Sequence, residues 1–367
     1  MVTWEDYELT DIPFRETGHI DTSLMDVRLN GKIFSKDGFE PTFDKLLSLI
    51  SKDKSVCYLR SHKETRGTGK STLLAAVYWH LKDESSKEYL PTWVTVHDYR
   101  TVTHLFSRIL DTFVTNGVFT KIHEKLEEVT VDSISSLLSK KISSPSPSVI
   151  DAVAKILSVP DGQLAWKYQN IRRSIPFVSP FEIFSYIMMM YSEIDSRKII
   201  VFIDQFEEYV QFQRQSRKLP QLAEDLKDIY RMCSQLQNMT FVLTLHPVSE
   251  SDFESAGKEL LHTYGNISEN AADLEEITNK QLVSVAVKYL KYYRAPNAPN
   301  DIEKYHPFTK EAIDYIAEKS HLNCRTMIRL LHNALMEARE EGQLKLSLEF
   351  IKDPKTHEAI GLGVLES

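Results

Sequence analysis

The sequence is short of several things that would have narrowed its function at once. Its 367 residues include three cysteines, Cys57, Cys233 and Cys324, far apart and without a C-x-x-C pair. That excludes a disulfide framework and a zinc ribbon, and predicts an intracellular chain with reduced thiols. Basic charge is not in excess, since the net charge is -8. A globally basic nucleic-acid binder is excluded, whereas a local basic face is not. No long apolar run occurs, and "IFSYIMMMYSEI" is too short to cross a bilayer. The acidic start, "MVTWEDYELTDIPF", lacks the apolar stretch of a secretory signal. These absences predict a soluble, cytoplasmic protein with no membrane partner.

What is present is a core-forming composition, 42% hydrophobic and 26% charged, enough for two or three structural units without disorder. "FDKLLSLISK" has a helical face. "SVCYLR" (55–60) reads as a buried strand, "STLLAAVYWHLK" as a helix, "TWVTVHDY" (92–99) as a second strand and "TVTHLFSRILDTFV" as a helix. From about 115 to 180 short helical patterns alternate with "SSPSPS" and "VPDG", which predicts a helical insertion. A helix near 181–195 leads into a strand from Lys198 to Asp204. "MTFVLTLH" gives another strand, and "LEEIT" (274–278) is a candidate for the last. From Asn279 the pattern is helical. Leu282, Ala286, Tyr289, Leu290 and Tyr293 share one face, Thr309 is an N-cap and Gly342 a stop. The expected divisions are an N-terminal extension (1–50), a core (51–278), a helical lid (279–352) and a tail (353–367). Strands alternating with helices predict an α/β fold: a three-layer parallel-sheet core with a helical insertion and a C-terminal helical lid domain.

The stretch "KETRGTGKSTLL" ends as a phosphate-binding loop of the pattern G-x-x-x-x-G-K-[ST], but Glu64 stands where the first glycine belongs. In such a P-loop, backbone N–H groups and the next helix's N-terminus cradle the phosphates. The residues assigned to the nucleotide are Gly67, Thr68, Gly69, Lys70, Ser71 and Thr72. Lys70 reaches the β- and γ-phosphates and Ser71 binds Mg²⁺. The first glycine sits farther from the phosphates, so the loop is expected to work with an altered rim.

A second element lies downstream. "IIVFIDQFEEYV" is an apolar strand ending in Asp204, assigned to Mg²⁺ together with Ser71. The next residue is Gln205, which cannot take a proton as a carboxylate can. Glu207 is the chosen catalytic base, with Glu208 as the alternative and a solvated acidic helix start as the plain explanation of both. Expected ligands are therefore ATP and Mg²⁺, and the expected activity is a slow ATPase of the P-loop NTPase class.

With "GTGKST", "IIVFIDQFEEYV", "FVLTLHP" and "HLNCRTMIRLLHNAL" in that order, roughly residues 52–110 and 181–340 resemble the additional-strand P-loop ATPases of the AAA+ and STAND branches. The lid resembles that of the AAA+ replication initiators, where an arginine opening a late lid helix contacts the γ-phosphate. This resemblance gives Arg325 that catalytic role. "DIPFRE" (11–16) is similar to the segment preceding the core of those initiators. "DQFEE" resembles the acidic motif of STAND and NACHT-type ATPases instead. The chain departs from the family in three places. Asp204–Gln205 replaces the usual Asp–Glu pair. No arginine lies between Met232 and Tyr293 to complete a neighbour's site, with Arg231 or Lys258 as substitutes. The sequence after the lid leaves no room for the initiators' winged-helix domain.

Thr244 and His246 stand where the family senses the γ-phosphate, against the reading of an ordinary solvent-facing strand end. His97 reads as a strand-end histidine, Arg329 as a surface charge, and Met188–Met190 as core. The local basic clusters are Arg172–Arg173 and Arg214, Arg217, Lys218. Three functions follow. The leading one is an AAA+/STAND-type nucleotide-dependent switch acting on a macromolecular partner. The alternative is a DNA-loading or DNA-remodelling initiator-type ATPase. A non-hydrolysing scaffold is allowed by Glu64 and Gln205. The partner, protein or duplex DNA, is not fixed by sequence, and a nucleotide-dependent homo-oligomer is allowed.

Overall fold

The computed structural model describes residues 2–14, 39–52, 56–61, 69–95, 102–158, 178, 180–215, 224, 227, 231, 236, 238–252, 254 and 267–362. In chain order the elements are α1 (Glu40–Ser51), β1 (Val56–Ser61), α2 (Lys70–Asp83), β2 (Tyr89–Thr95), α3 (Val102–Thr115), α4 (Val118–Leu126), α5 (Val131–Leu138), α6 (Pro147–Leu157) and α7 (Pro180–Ser192). They continue with β3 (Lys198–Asp204), α8 (Phe206–Gln215), β4 (Met239–Leu245), β5 (Ala271–Leu274), α9 (Asn279–Tyr292), α10 (Lys310–Lys319), α11 (Cys324–Glu341), α12 (Leu348–Lys352) and α13 (Pro354–Ala359). The chain forms two compact units, Phe43–Arg60 with Val77–Asp273, and Met1–Thr42 with Ser61–Ala76 and Leu274–Ser367.

The first of these units holds the sheet, in the order β2-β3-β4-β1-β5. β2–β3, β3–β4 and β4–β1 all pair in parallel. All seven residues of β4 and all of β3 except Lys198 are buried, as central strands covered on both faces require. Their β-branched and aromatic composition suits that environment. β4 separates the strand before the phosphate loop from the strand ending in Asp204. In register Leu59 lies opposite Thr244, and Ile203 opposite Leu243. Asp204 and Thr244 therefore finish adjacent strands at the carboxyl edge, where open parallel sheets bind ligands. Tyr78 of α2 packs edge-on against Trp93 and Phe202, each 6.0 Å between ring centroids, fixing that part of the helix on the sheet. Burial pushes the Tyr78 hydroxyl up to about 12.

Two strands differ from expectation. The second begins at Tyr89 rather than Thr92, and 96–99 lie outside the described residues. The candidate last strand at 274–278 is corrected to Ala271–Leu274. Ile277 and Thr278 are β-branched, but Thr278 caps α9. Its hydroxyl accepts from Gln281 N (3.3 Å) and its N donates to the Gln281 side-chain oxygen (2.7 Å). This T-x-x-Q capping box starts a helix instead of ending a strand.

The helical insertion belongs to the same core. Phe184 of α7 lies 5.4 Å from Phe106 and 5.6 Å from Phe113 of α3, and the apolar faces of α4, α5 and α6 join the cluster that covers the sheet. Residues 159–177 lie outside the described residues. One polar knot ties α4 to the turn before β3. Asp195 accepts from Tyr191 Oη (2.8 Å), Arg197 Nη2 (2.8 Å), Arg197 N (3.0 Å) and Lys121 Nζ. Burial alone would raise the Asp195 carboxyl, but these donors hold it well below the ordinary carboxylate range.

The second unit is built on α9 to α13. Residues Leu282, Ala286, Tyr289 and Leu290 are buried as the periodicity predicts, Thr309 Oγ1 accepts from Ala312 N (3.3 Å), and Gly342 closes α11 at φ +75°. The segment 2–14 packs into this unit rather than forming an extension. Tyr7 is fully buried and donates to Gln343 O at 2.7 Å. Thr10 N donates to Tyr293 O at 2.8 Å, Arg339 lies 4.7 Å over Trp4, and Phe14 sits against Tyr289 and Phe308. Beyond the expected lid boundary at 352 the chain is no loose tail as far as Leu362. α13 follows, Asn333 Nδ2 donates to Ile360 O at 3.2 Å, and Ile360 and Leu362 are fully buried.

The Asp195 carboxyl titrates lower in the folded than in the unfolded chain. Its contribution is therefore complete above the unfolded value of about 4 and is lost as the pH falls. Asp195→Asn is expected to cost about 1–3 kcal/mol at neutral pH, and the gap to wild type should shrink below about pH 4. Urea titrations on either side of that pH check this.

Candidate active site

Of the expected phosphate loop, Glu64, Gly67 and Thr68 lie outside the described residues. Gly69 adopts φ +96°, and a Cβ there would come within 2.9 Å of Phe39 Cζ. Both observations require glycine. α2 starts directly after it at Lys70, and Leu73 N donates to Gly69 O at 2.9 Å. The sequence "GKST" therefore lies at a helix start, with Lys70 and Ser71 half-buried and Thr72 buried. The partial positive charge of such an end favours an anion.

The strand-end group is assembled as follows. Asp204 is 1% exposed at the end of β3, and its Oδ1 accepts from Gln205 N at 3.0 Å. Gln205 turns the chain at φ +60°, and α8 begins at Phe206. Phe206 N donates to Thr244 Oγ1 at 3.0 Å, while that hydroxyl donates to Glu207 Oε2 at 2.5 Å. Glu207 is 9% exposed, so the solvated-acid reading fails for it, whereas Glu208 is half-buried. Asp204, Gln205, Glu207 and Thr244 thus form one group. Asp204 is a hard oxygen donor of the kind Mg²⁺ prefers. Among the described residues no cluster of three or more His, Cys, Asp or Glu suits a metal held by protein alone.

The two sensor candidates separate. Thr244 is fully buried, which excludes an ordinary solvent-facing strand end. His246 is likewise buried, at 6% exposure, but is bonded to a different neighbour: Ser249 N donates to its Nδ1 at 3.2 Å, and its N donates to Ser249 Oγ at 3.0 Å. Its Nε2 lies 3.1 Å from Gln211 Nε2. Sequence reasoning missed Gln211, and it missed Arg60. At the end of β1, Arg60 Nε donates to Asp273 Oδ1 (2.6 Å) and Nη1 to Glu250 Oε1 (2.7 Å), joining three elements of the sheet's carboxyl edge. Nothing in "CYLR" announces those distant partners.

Arg325 occupies the first turn of α11, whose N-cap Asn323 accepts from Thr326 N at 3.1 Å. The two residues before the cap, His321 and Leu322, both have positive φ, 52° and 59°. Arg329 is exposed, and Arg231 lies 5.1 Å over the Phe181 ring. Arg214 pairs with Asp252 at 3.3 Å. His97, Arg172, Arg173, Arg217, Lys218 and Lys258 lie outside the described residues. Met188 and Met190 are core. No helix among the described residues is long and apolar enough to cross a membrane.

No protein-family model matches the sequence, and no curated protein matches it. Solved structures do share its fold. The Aeropyrum pernix ORC2 protein in its ADP form aligns with a TM-score of 0.53 at 13% identity, over 89% of this chain and 67% of its own. The same protein in ADPNP-ADP complexes gives 0.54 at 12% identity, over 93% and 70%. The A. pernix ORC1 protein in complex with DNA reaches 0.49 at 13% identity, over 87% and 65%, too low to add to the assignment. At these identities the likeness is one of fold alone: an α/β core of P-loop NTPase architecture with a C-terminal helical region. The resemblance of "DQFEE" to STAND and NACHT-type ATPases finds no support in these likenesses.

Thr244 holds both the start of α8 and the Glu207 carboxylate. Thr244→Val keeps the shape and leaves a buried N–H and a buried carboxylate short of a partner. The expected loss is about 1–3 kcal/mol, with Thr244→Ser closer to wild type. Thermal and denaturant melts of the two variants check this.

Proposed function

We propose that the protein is a Mg²⁺-dependent ATPase of the initiator AAA+ type that couples its nucleotide state to duplex DNA. The observation that carries this is the strand-end group: Asp204 and the Thr244–Glu207 pair close adjacent central strands of a sheet in which β4 is the added strand. A buried carboxylate beside a second one oriented by a hydroxyl suits metal-assisted attack of water on a phosphoryl group.

In this reading Gly67 to Thr72 bind the phosphates, with Lys70 on the β- and γ-phosphates. Ser71 and Asp204 would hold Mg²⁺, which when bound would supply positive charge beside the transferred group. Glu207 accepts a proton from the attacking water, and Arg325 contacts the γ-phosphate. The sequence placed a partner-directed switch of AAA+/STAND type first and a DNA-acting ATPase second. The initiator-type fold, with A. pernix ORC2 structures carrying ADP and ADPNP, favours the second. The DNA footprint is assigned to the local basic clusters, since a chain of net charge -8 has no global one.

Steady-state ATP hydrolysis with and without duplex DNA, at two salt concentrations, tests the reading, with Lys70→Ala as the blank. DNA is expected to raise turnover, and added salt to remove that rise. A rate above the blank but indifferent to DNA would return the protein-directed switch. A wild-type rate no greater than that of Lys70→Ala would end the ATPase reading.

A further inference from the structure

The second unit carries a basic cluster that the nucleotide reading does not use. Its centre is Tyr315 of α10. Lys319 Nζ lies 5.6 Å from the centroid of that ring, and Lys352 Nζ, from α12, lies 4.9 Å from it. His357 Nε2, from α13, lies 3.4 Å from Tyr315 Oη. Tyr315, Lys319 and His357 are half-buried and Lys352 is exposed, so solvent reaches the group. An aromatic ring attracts ammonium groups but has no net charge, so it positions the two lysines without neutralising them. The carboxylates of the neighbouring turns are engaged elsewhere. Asp353 accepts from Lys355 N (3.0 Å) and Thr356 N (3.2 Å), Glu341 accepts from Lys355 Nζ (2.6 Å), and Asp314 faces Lys310 at 4.0 Å. The Ser347 hydroxyl and its own N–H hold the Glu349 carboxyl below its ordinary range, with Lys352 a lesser cause. Glu311 and Glu318, the other acids of α10, are exposed. Glu318 adjoins Lys319, and sequence neighbours do not face each other on a helix. Among the described residues Lys352 has no ion-pair partner.

We propose that Tyr315, Lys319, Lys352 and His357 form a phosphate-binding subsite that uses none of the residues assigned to the nucleotide. Its ligand is a phosphate group, either free in solution or part of a nucleic-acid backbone. Each lysine meets the phosphate as a point charge with three donors. Tyr315 and His357 add direction. With the imidazole proton on Nε2, the ring donates to Tyr315 Oη, and the phenol O–H turns to the ligand. Three helices supply these groups, so helix packing sets the donors before a ligand arrives. Phe350 N donates to Ser347 Oγ at 3.3 Å at the start of α12, and Asp353 caps α13. Those caps fix where Lys352 and His357 stand. The subsite does not depend on the ATPase reading above.

The test is the dissociation constant for inorganic phosphate, read from the rise of the thermal midpoint with phosphate at constant ionic strength. The full chain carrying Lys70→Ala is the parent, so that the phosphate loop does not enter the measurement. Adding Lys352→Gln or Tyr315→Phe is expected to weaken phosphate binding at least about fivefold. Lys355→Gln removes a nearby ammonium already paired with Glu341, and should leave phosphate binding unchanged. Fluorescence anisotropy with a short DNA duplex then separates the two sources. Duplex affinity that falls with Lys352→Gln assigns the subsite to a nucleic-acid backbone, and duplex affinity equal to the parent's assigns it to free phosphate. A parent that binds no phosphate, a Lys352→Gln variant that binds it as the parent does, or an equal loss in Lys355→Gln overturns the subsite. None of these results bears on the ATPase reading, which stands or falls on turnover of the wild type against Lys70→Ala.

Discussion

The hydroxyl of Thr244 is the contact on which the rest of the site depends. One oxygen accepts from the first N–H of α8 and donates to the Glu207 carboxylate. It can do both only because β4 lies directly beside β3 and the two strands end together. Sheet order therefore sets this pairing. A carboxylate in a nearly dry position is costly unless a donor satisfies it, and here the donor comes from β4. The same hydroxyl fixes the direction in which α8 leaves the sheet, and with it the turn that carries Gln205.

Around this group the carboxyl edge is tied by charge. Arg60, Glu250 and Asp273 join the end of β1 to the segment after β4 and to β5. Hydrogen bonds to the two carboxylates keep the Arg60 guanidinium charged beyond its ordinary range. On the far side of the same unit, Asp195 gathers Lys121, Tyr191 and Arg197 where the insertion rejoins the chain. The insertion is thus a structural part of the sheet-bearing unit, its apolar faces merged with the core. In the other unit, the segment 2–14 supplies Trp4, Tyr7 and Phe14 to a packing with distant parts of the chain, Tyr7 bonding to Gln343, 336 residues away in sequence.

Much of this was legible in sequence where one local signal dominated. "KIIVFID" and "MTFVLTL" could hardly be anything but central strands, and Thr309 and Gly342 mark helix ends by chemistry specific to those positions. The rest was hidden for identifiable reasons. At "LEEIT" two signals competed, β-branching for a strand and T-x-x-Q for a helix start, and the cap prevailed. Residues beyond 352 are short and polar in pattern, so the burial of Ile360 and Leu362 depends on helices they do not adjoin in sequence. Thr244 carries the same letter whether it faces solvent or a carboxylate, and only the strand order tells the two apart. Gln205 was visible as a departure from the Asp–Glu pair. Its positive φ and unsatisfied oxygen are conformational facts that no spacing reveals.

If one nucleotide engages both the phosphate loop and Asp204, the metal ion must link them energetically. Equilibrium binding of ATP to wild type and Asp204→Asn, each with and without Mg²⁺, measures that link. Mg²⁺ is expected to tighten ATP binding to the wild type at least about tenfold, roughly 1.4 kcal/mol, and to leave Asp204→Asn nearly unchanged. A full Mg²⁺ response in Asp204→Asn, or none in the wild type, would contradict the assignment of the strand-end acid to the nucleotide.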